Sequence, residues 1–163
     1  MNIVKYAALA LALCLTACSP TTLKSTFNAT DAAFINRKGT GTITGQAFLR
    51  RNDGMVVYAA GSEVYLVPKT PYSDERFASI YKGSKISYFG STFKNDSAEY
   101  YNYTRKLIAD GEGRFVFTDL AAGSYYLTTS VTWMVQYAQQ GGWLMERVTV
   151  SNGQTSNVIM SGQ

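Results

Sequence analysis

Cys18 is the residue of this chain to which a definite chemistry attaches. Its thiol is a potential nucleophile, and it stands where the apolar run of residues 7–15 gives way to the small residues Thr16 and Ala17. Small side chains leave the peptide bond before Cys18 open to a peptidase. Cys14 lies inside the apolar run itself. The chain contains no histidine, which excludes Ser-His-Asp and Cys-His mechanisms and any zinc site built on imidazole. The spacing of the remaining side chains offers no nucleophile–base pair, no metal cluster and no phosphate-binding loop. Carboxylate-only catalysis stays open, but nothing points to it. The expectation is a protein that is not an enzyme, with no metal and no cofactor.

Lys5 supplies a short positive start, and the nine apolar residues that end at Leu15 follow it closely. That run is too short to cross a bilayer, which takes about 20 residues. It suits the apolar region of a signal peptide, about 7–15 residues long. Leu15-Thr16-Ala17-Cys18 resembles the lipobox of bacterial lipoproteins. The resemblance implies that residues 1–17 are a signal peptide, removed by cleavage before Cys18. It also implies a diacylglyceryl group on the Cys18 sulfur and a further acyl chain (palmitate or similar) on the new N-terminus. Each buried CH₂ contributes roughly 0.8 kcal/mol, so two or three chains make the attachment effectively permanent. Ser19 follows the cysteine where an aspartate would imply inner-membrane retention. The implied location is therefore the bacterial cell envelope, lipid-anchored at the outer membrane and facing the periplasm. An ordinary secreted protein with a coincidental cysteine is the alternative.

Residues 18–163 make one domain's worth of chain. The formal charge of +4 includes Lys5, and what remains after cleavage is mildly positive with no dense basic patch, so no nucleic-acid partner is expected. With Cys14 removed and lipid on Cys18, no intramolecular disulfide is available. The 12 tyrosines suit half-buried pleated surfaces.

The elements that position the rest are mostly strands. Residues 18–38 are polar and small, and read as a tether between lipid and domain. Fully extended, such a stretch reaches about 65 Å. Phe27, Phe34 and Ile35 are the residues that would dock if it packs. From Gly39 the apolar residues alternate with period two, and strands are predicted up to Arg50, around residues 56–58, and over 63–68, where Pro68 ends the strand. Residues 71–81 predict a short helix ended by Gly83. An extended piece is expected within 84–93 and a helical turn within 97–103. Strand patterning resumes at 104–109, 114–118, 124–135, 143–150 and 155–160. The turns between them fall at Asp110 to Gly113, at Asp119 to Gly123, at a hairpin tip of Gln139-Gln140-Gly141-Gly142, and at Asn152-Gly153.

Within this pattern, Asp110, Gly113, Phe115, Phe117, Leu120, Gly123, Tyr125 and Leu127 resemble the signature of the carboxypeptidase regulatory-like domain, which is transthyretin-like. Thr42 to Gly45 and Val64 to Pro68 resemble its first strands. Val148 to Val150, Asn152-Gly153 and Val158 to Met160 resemble its last. The likeness spans about residues 40–68 and 104–160. It implies an all-β, transthyretin-like or Ig-like β-sandwich of about seven strands over residues 39–163, and is nearly silent on function. On their own chemistry these are turn and core residues, with Asp110 capping its turn. A calcium site built on Asp110, Glu112 and Asp119 is the less favoured reading.

The departure from that family is a partly helical insert at about residues 69–103. It carries Tyr72, Phe77, Tyr81, Tyr88, Phe89, Phe93, Tyr100, Tyr101 and Tyr103. So many aromatics argue against disorder. Either they cover an open face of the sandwich or they form a contact surface. The candidate binding residues are Tyr100, Tyr101 and Tyr103 on the insert, and Trp133 and Trp143 on the long hairpin, which also carries Tyr137. Two functions follow. The first is a non-enzymatic envelope module that presents a β-sandwich to a protein partner. The second is a glycan-binding lipoprotein that uses these aromatic surfaces.

Overall fold

The computed structural model describes residues 20–163. The expected signal peptide and lipidation site, residues 1–17 and Cys18, lie outside the described residues. The protein is an all-β sandwich with a small helical insert, in which two sheets enclose one core. Among the described residues no helix is long and apolar enough to cross a membrane.

Strand β1 (Lys38–Arg50) organises the first sheet. Its odd-numbered residues from Gly41 to Leu49 are buried in strict alternation, as a strand with one face on a core requires. One edge of β1 pairs antiparallel with β6 (Arg114–Leu120), and beyond it the same strand pairs with β2 (Val56–Tyr58). β9 (Thr155–Met160) joins β1 in parallel, with Ile43 opposite Ser156 and Ala47 opposite Met160.

The second sheet runs β4 (Ile86–Ser87), β8 (Ala138–Val150), β7 (Gly123–Val135), β3 (Glu63–Pro68), β5 (Arg105–Ile108). The strand expected around residues 56–58 is β2, a three-residue edge, and β4 is a two-residue pairing within the stretch that reads as extended. Ile43, Leu66, Phe115, Phe117, Tyr125, Leu127, Leu144 and Met160 meet between the sheets. Tyr125 reconciles its hydroxyl with burial by donating to the Ala121 carbonyl at 2.7 Å.

The hairpin differs from expectation. β7 and β8 stay paired up to Val135 opposite Ala138, so the tip is Gln136-Tyr137 and not residues 139–142. Gly141 and Gly142 lie inside the ladder. A β-carbon at Gly141 would fall 2.0 Å from the Val131 carbonyl oxygen, and one at Gly142 would fall 2.7 Å from that of Ser87. Glycine is needed there for close approach, not for a turn.

The segment expected as a tether is also different, for it is docked from Thr21 onward. Thr21 forms an isolated parallel bridge with Phe93, and Leu23 is buried. A helical turn, α1 (Ala29–Ala32), capped by Asn28, leads through a 3-10 turn (Ala33–Asn36) that buries Ile35. Phe34 packs on Tyr125 at 5.2 Å between ring centroids. Spaced apolar residues in a polar stretch thus act as anchors, Leu23 and Phe27 on one apolar cluster and Phe34 and Ile35 on the core between the sheets.

Candidate functional site

Helix α2 (Pro71–Tyr81) starts where Thr70 caps it. The Thr70 side chain accepts from the Ser73 N–H at 3.2 Å, and Ser73 Oγ accepts from the Thr70 N–H at 2.8 Å. Pro71 occupies the first helical position, where its missing donor costs nothing. The helix ends at Lys82, which is left-handed with φ 51°. Eleven residues are too few for a helix to persist alone in water, so α2 depends on what it covers. That is the outer face of the second sheet. Phe77 stacks on Tyr126 at 4.2 Å and 11°, and Tyr81 stacks on Phe77 at 5.6 Å. Each such side chain contributes roughly 1.5–3 kcal/mol on burial. The aromatics of the insert therefore largely cover the open face, as one of the two readings has it, and form a second apolar cluster with Leu23, Val67 and Tyr100.

The centre of this cluster is Arg76, 7% exposed. Its guanidinium lies 4.4 Å from the Phe93 ring centroid and 4.5 Å from that of Tyr100. It pairs with Asp96 and donates to the Tyr101 hydroxyl at 3.2 Å. Asp96 also accepts from the hydroxyls of Tyr101 at 2.7 Å and Tyr72 at 3.0 Å. Burial opposes charge on Asp96, but the Tyr101 hydrogen bond and the Arg76 charge outweigh it and hold the carboxyl below its ordinary range. A buried cation is tolerated here because it is paired, hydrogen-bonded and faced by aromatic rings. Sequence reasoning missed both residues. The spacing of Tyr72, Arg76, Phe77 and Tyr81 at helical intervals carries a signal for Arg76. Nothing local marks Asp96.

Beside this cluster lies a groove of about 640 Å³. The sheet contributes Tyr65, Thr128, Lys106 and Trp143, α2 contributes Phe77 and Tyr81, and the 3-10 helix (Ala98–Tyr103) contributes Tyr100 and Tyr101. Phe89 to Ser91 form part of the lining. Tyr101 is 56% exposed and Trp143 is 42% exposed, so both present ring surface to a ligand. The Tyr81 hydroxyl sits 2.7 Å from Thr128 Oγ1, and burial pushes its pKa up to about 12. Lys106 pairs with Glu63 at 2.5 Å, and that hydrogen bond, helped by one from Tyr65, holds Glu63 below its ordinary range. Both cations of the groove, Arg76 and Lys106, thus have carboxylate partners.

Of the five aromatic candidates, the fold brings Tyr100, Tyr101 and Trp143 to this groove. Tyr103 turns away and packs on Phe27 at 5.5 Å. Trp133 lines a different hollow with Leu49, Tyr88 and Gln140. Tyr137 at the hairpin tip is fully exposed and lines neither. The three carboxylates weighed as a calcium site are otherwise engaged. Asp110 accepts from the Glu112 and Arg114 N–H groups at 2.8 Å each, Glu112 pairs with Arg114, and Asp119 lies 3.9 Å from Lys38.

No family model matches this chain, and no curated protein does. Among solved structures it is similar to a Pseudomonas aeruginosa protein described as a "putative carbohydrate binding protein", with a TM-score of 0.71 and 24% identity. The match covers 84% of this chain and 98% of the other. At that identity the likeness bears on fold and leaves the ligand open.

Proposed function

We propose that this chain is a lipid-anchored envelope lipoprotein, held at the outer membrane through Cys18, whose β-sandwich is a non-enzymatic carbohydrate-binding module. We read the sandwich as a relative of the carboxypeptidase regulatory-like domain. In favour of that, Asp110 caps its turn and Phe115, Phe117, Tyr125 and Leu127 fill the core.

The observation that carries the carbohydrate reading is the groove. Tyr101 and Trp143 are partly exposed aromatic side chains that line the groove together with Thr128 and Lys106. A sugar ring offers apolar C–H faces to aromatic planes and hydroxyls to polar edges, which is the mixture found there. The description of the Pseudomonas aeruginosa protein agrees with this reading. The absence of histidine supports binding over catalysis.

The test is titration of the lipid-free domain with envelope polysaccharides, read by tryptophan fluorescence and a glycan array. Tyr101→Ala and Trp143→Ala should each weaken binding about tenfold, equivalent to about 1.4 kcal/mol. Trp133→Ala, outside the groove, should leave it unchanged. A folded domain with no response to any polysaccharide would sink the reading. The second reading, a protein partner, is favoured by the hairpin end, where Met134, Val135 and Tyr137 are exposed together. Crosslinking in cells from Tyr137 would capture that partner reproducibly.

A further inference from the structure

We infer that the loop of residues 88–94 rests on the bilayer that carries the lipid, so that the domain lies against the membrane surface. The inference rests on the lipid-anchor reading of Cys18 and adds an orientation to it. The fold takes hold of the chain almost at once after that cysteine. The Thr21 N–H donates to the Thr92 carbonyl at 3.0 Å, and the Lys94 N–H donates to that of Thr21 at 2.9 Å. Leu23 is buried and exchanges hydrogen bonds with the Asn95 amide at 2.8 Å in both directions. The Lys24 and Ser25 N–H groups donate to the Glu75 carboxylate at 2.7 Å each. Only Ser19 and Pro20 separate Cys18 from Thr21, so the α-carbons of Cys18 and Thr21 can be at most about 11 Å apart. That is about the spacing of two packed sheets, and far short of the reach of a free tether.

The surface held down by this short leash suits a bilayer. Phe89 is 82% exposed and Tyr88 66%. Both lie on the loop that receives Thr21, and Phe89 is four residues from its bridge partner Phe93. Aromatic rings favour the interfacial layer of a membrane. Lys24 and Lys94, each following a bridge residue in the chain, are exposed and would complement anionic headgroups. Phe89 is then engaged by the bilayer, and sugar contact in the groove falls to Tyr101 and Trp143.

The mature lipoprotein, reconstituted into vesicles of phosphatidylethanolamine and phosphatidylglycerol, tests this. With lipid on Cys18 and Cys14 removed, an introduced cysteine is the sole free thiol for an environment-sensitive dye. The label on Phe89→Cys should be blue-shifted and quenched several-fold by spin-labelled lipid. The label on Val116→Cys, on the outer face of the first sheet, should not. Inserting about 12 Gly/Ser residues after Pro20, a further reach of roughly 40 Å, should weaken the quenching while the protein still floats with the vesicles. An unquenched label at residue 89 on membrane-bound protein overturns this inference and leaves the anchor standing. Quenching as strong at residue 116 as at residue 89 overturns it as well. A wild-type chain that takes up no fatty acid and does not float overturns the anchor and the inference together.

Discussion

Gly113 shows how much one position can carry. It has φ 71°, and a β-carbon there would lie 2.4 Å from the Ala47 carbonyl oxygen. Its own carbonyl accepts from the Ala47 N–H at 2.9 Å, which ties the start of β6 to the middle of β1. Left-handed backbone costs an L-residue roughly 1–2 kcal/mol, and the clash adds to it. Gly113→Ala should therefore lower unfolding stability by more than about 2 kcal/mol, measured by urea denaturation. Gly111→Ala, two residues away with open space around it, should stay within about 0.5 kcal/mol of the parent. Equal effects from the two would refute this account. Gly113 was legible as a special position, since it belongs to the motif around Asp110. Arg76 was not legible as the centre of a buried cluster, because Asp96 and Phe93 reach it from a loop without regular pattern.

At the scale of elements, the docked N-terminal segment depends on helix α2 through Glu75. Backbone N–H donation from Lys24, then the bonds from Ser25, hold the Glu75 carboxyl below its ordinary value of 4.5. A depressed carboxylate contributes stability that is present above its unfolded-state pKa and is lost as pH falls through the lower folded value. Protection of the Lys24 and Ser25 amides from hydrogen exchange should therefore hold at neutral pH and fall once acidification passes below the glutamate range. In Glu75→Gln it should be reduced at every pH. Protection that persists in strong acid would show that Leu23 and Phe27 alone hold the segment. The strands were readable because alternation marks which residues face the core. For residues 21–36 the apolar side chains Phe27, Phe34 and Ile35 marked which could dock, but not where, because they follow no period and the segment divides between two clusters, Leu23 and Phe27 on one and Phe34 and Ile35 on the other.

For the whole molecule, the proposed anchor at Cys18 is testable by one substitution. Cys18→Ala should block incorporation of labelled fatty acid and either release the protein from the membrane fraction or leave it with an uncleaved signal. Label entering the variant, or none entering the parent, would refute lipidation. The short leash also changes what anchoring means. If Cys18 carries lipid as proposed, its α-carbon lies within about 11 Å of that of Thr21, which would keep one side of the domain towards the membrane.

The sequence by itself determined the all-β class, the turn and core roles of the residues around Asp110, and the exclusion of histidine chemistry. These follow from side-chain identity and from a period of two, both local properties. Only the tertiary structure decided which aromatics are walls and which are surfaces. Tyr100 and Tyr101 are adjacent in the chain, yet one is buried beneath Phe27 and Arg76 while the other opens to solvent beside Trp143. Exposure depends on which distant segments pack together, and no local pattern records that.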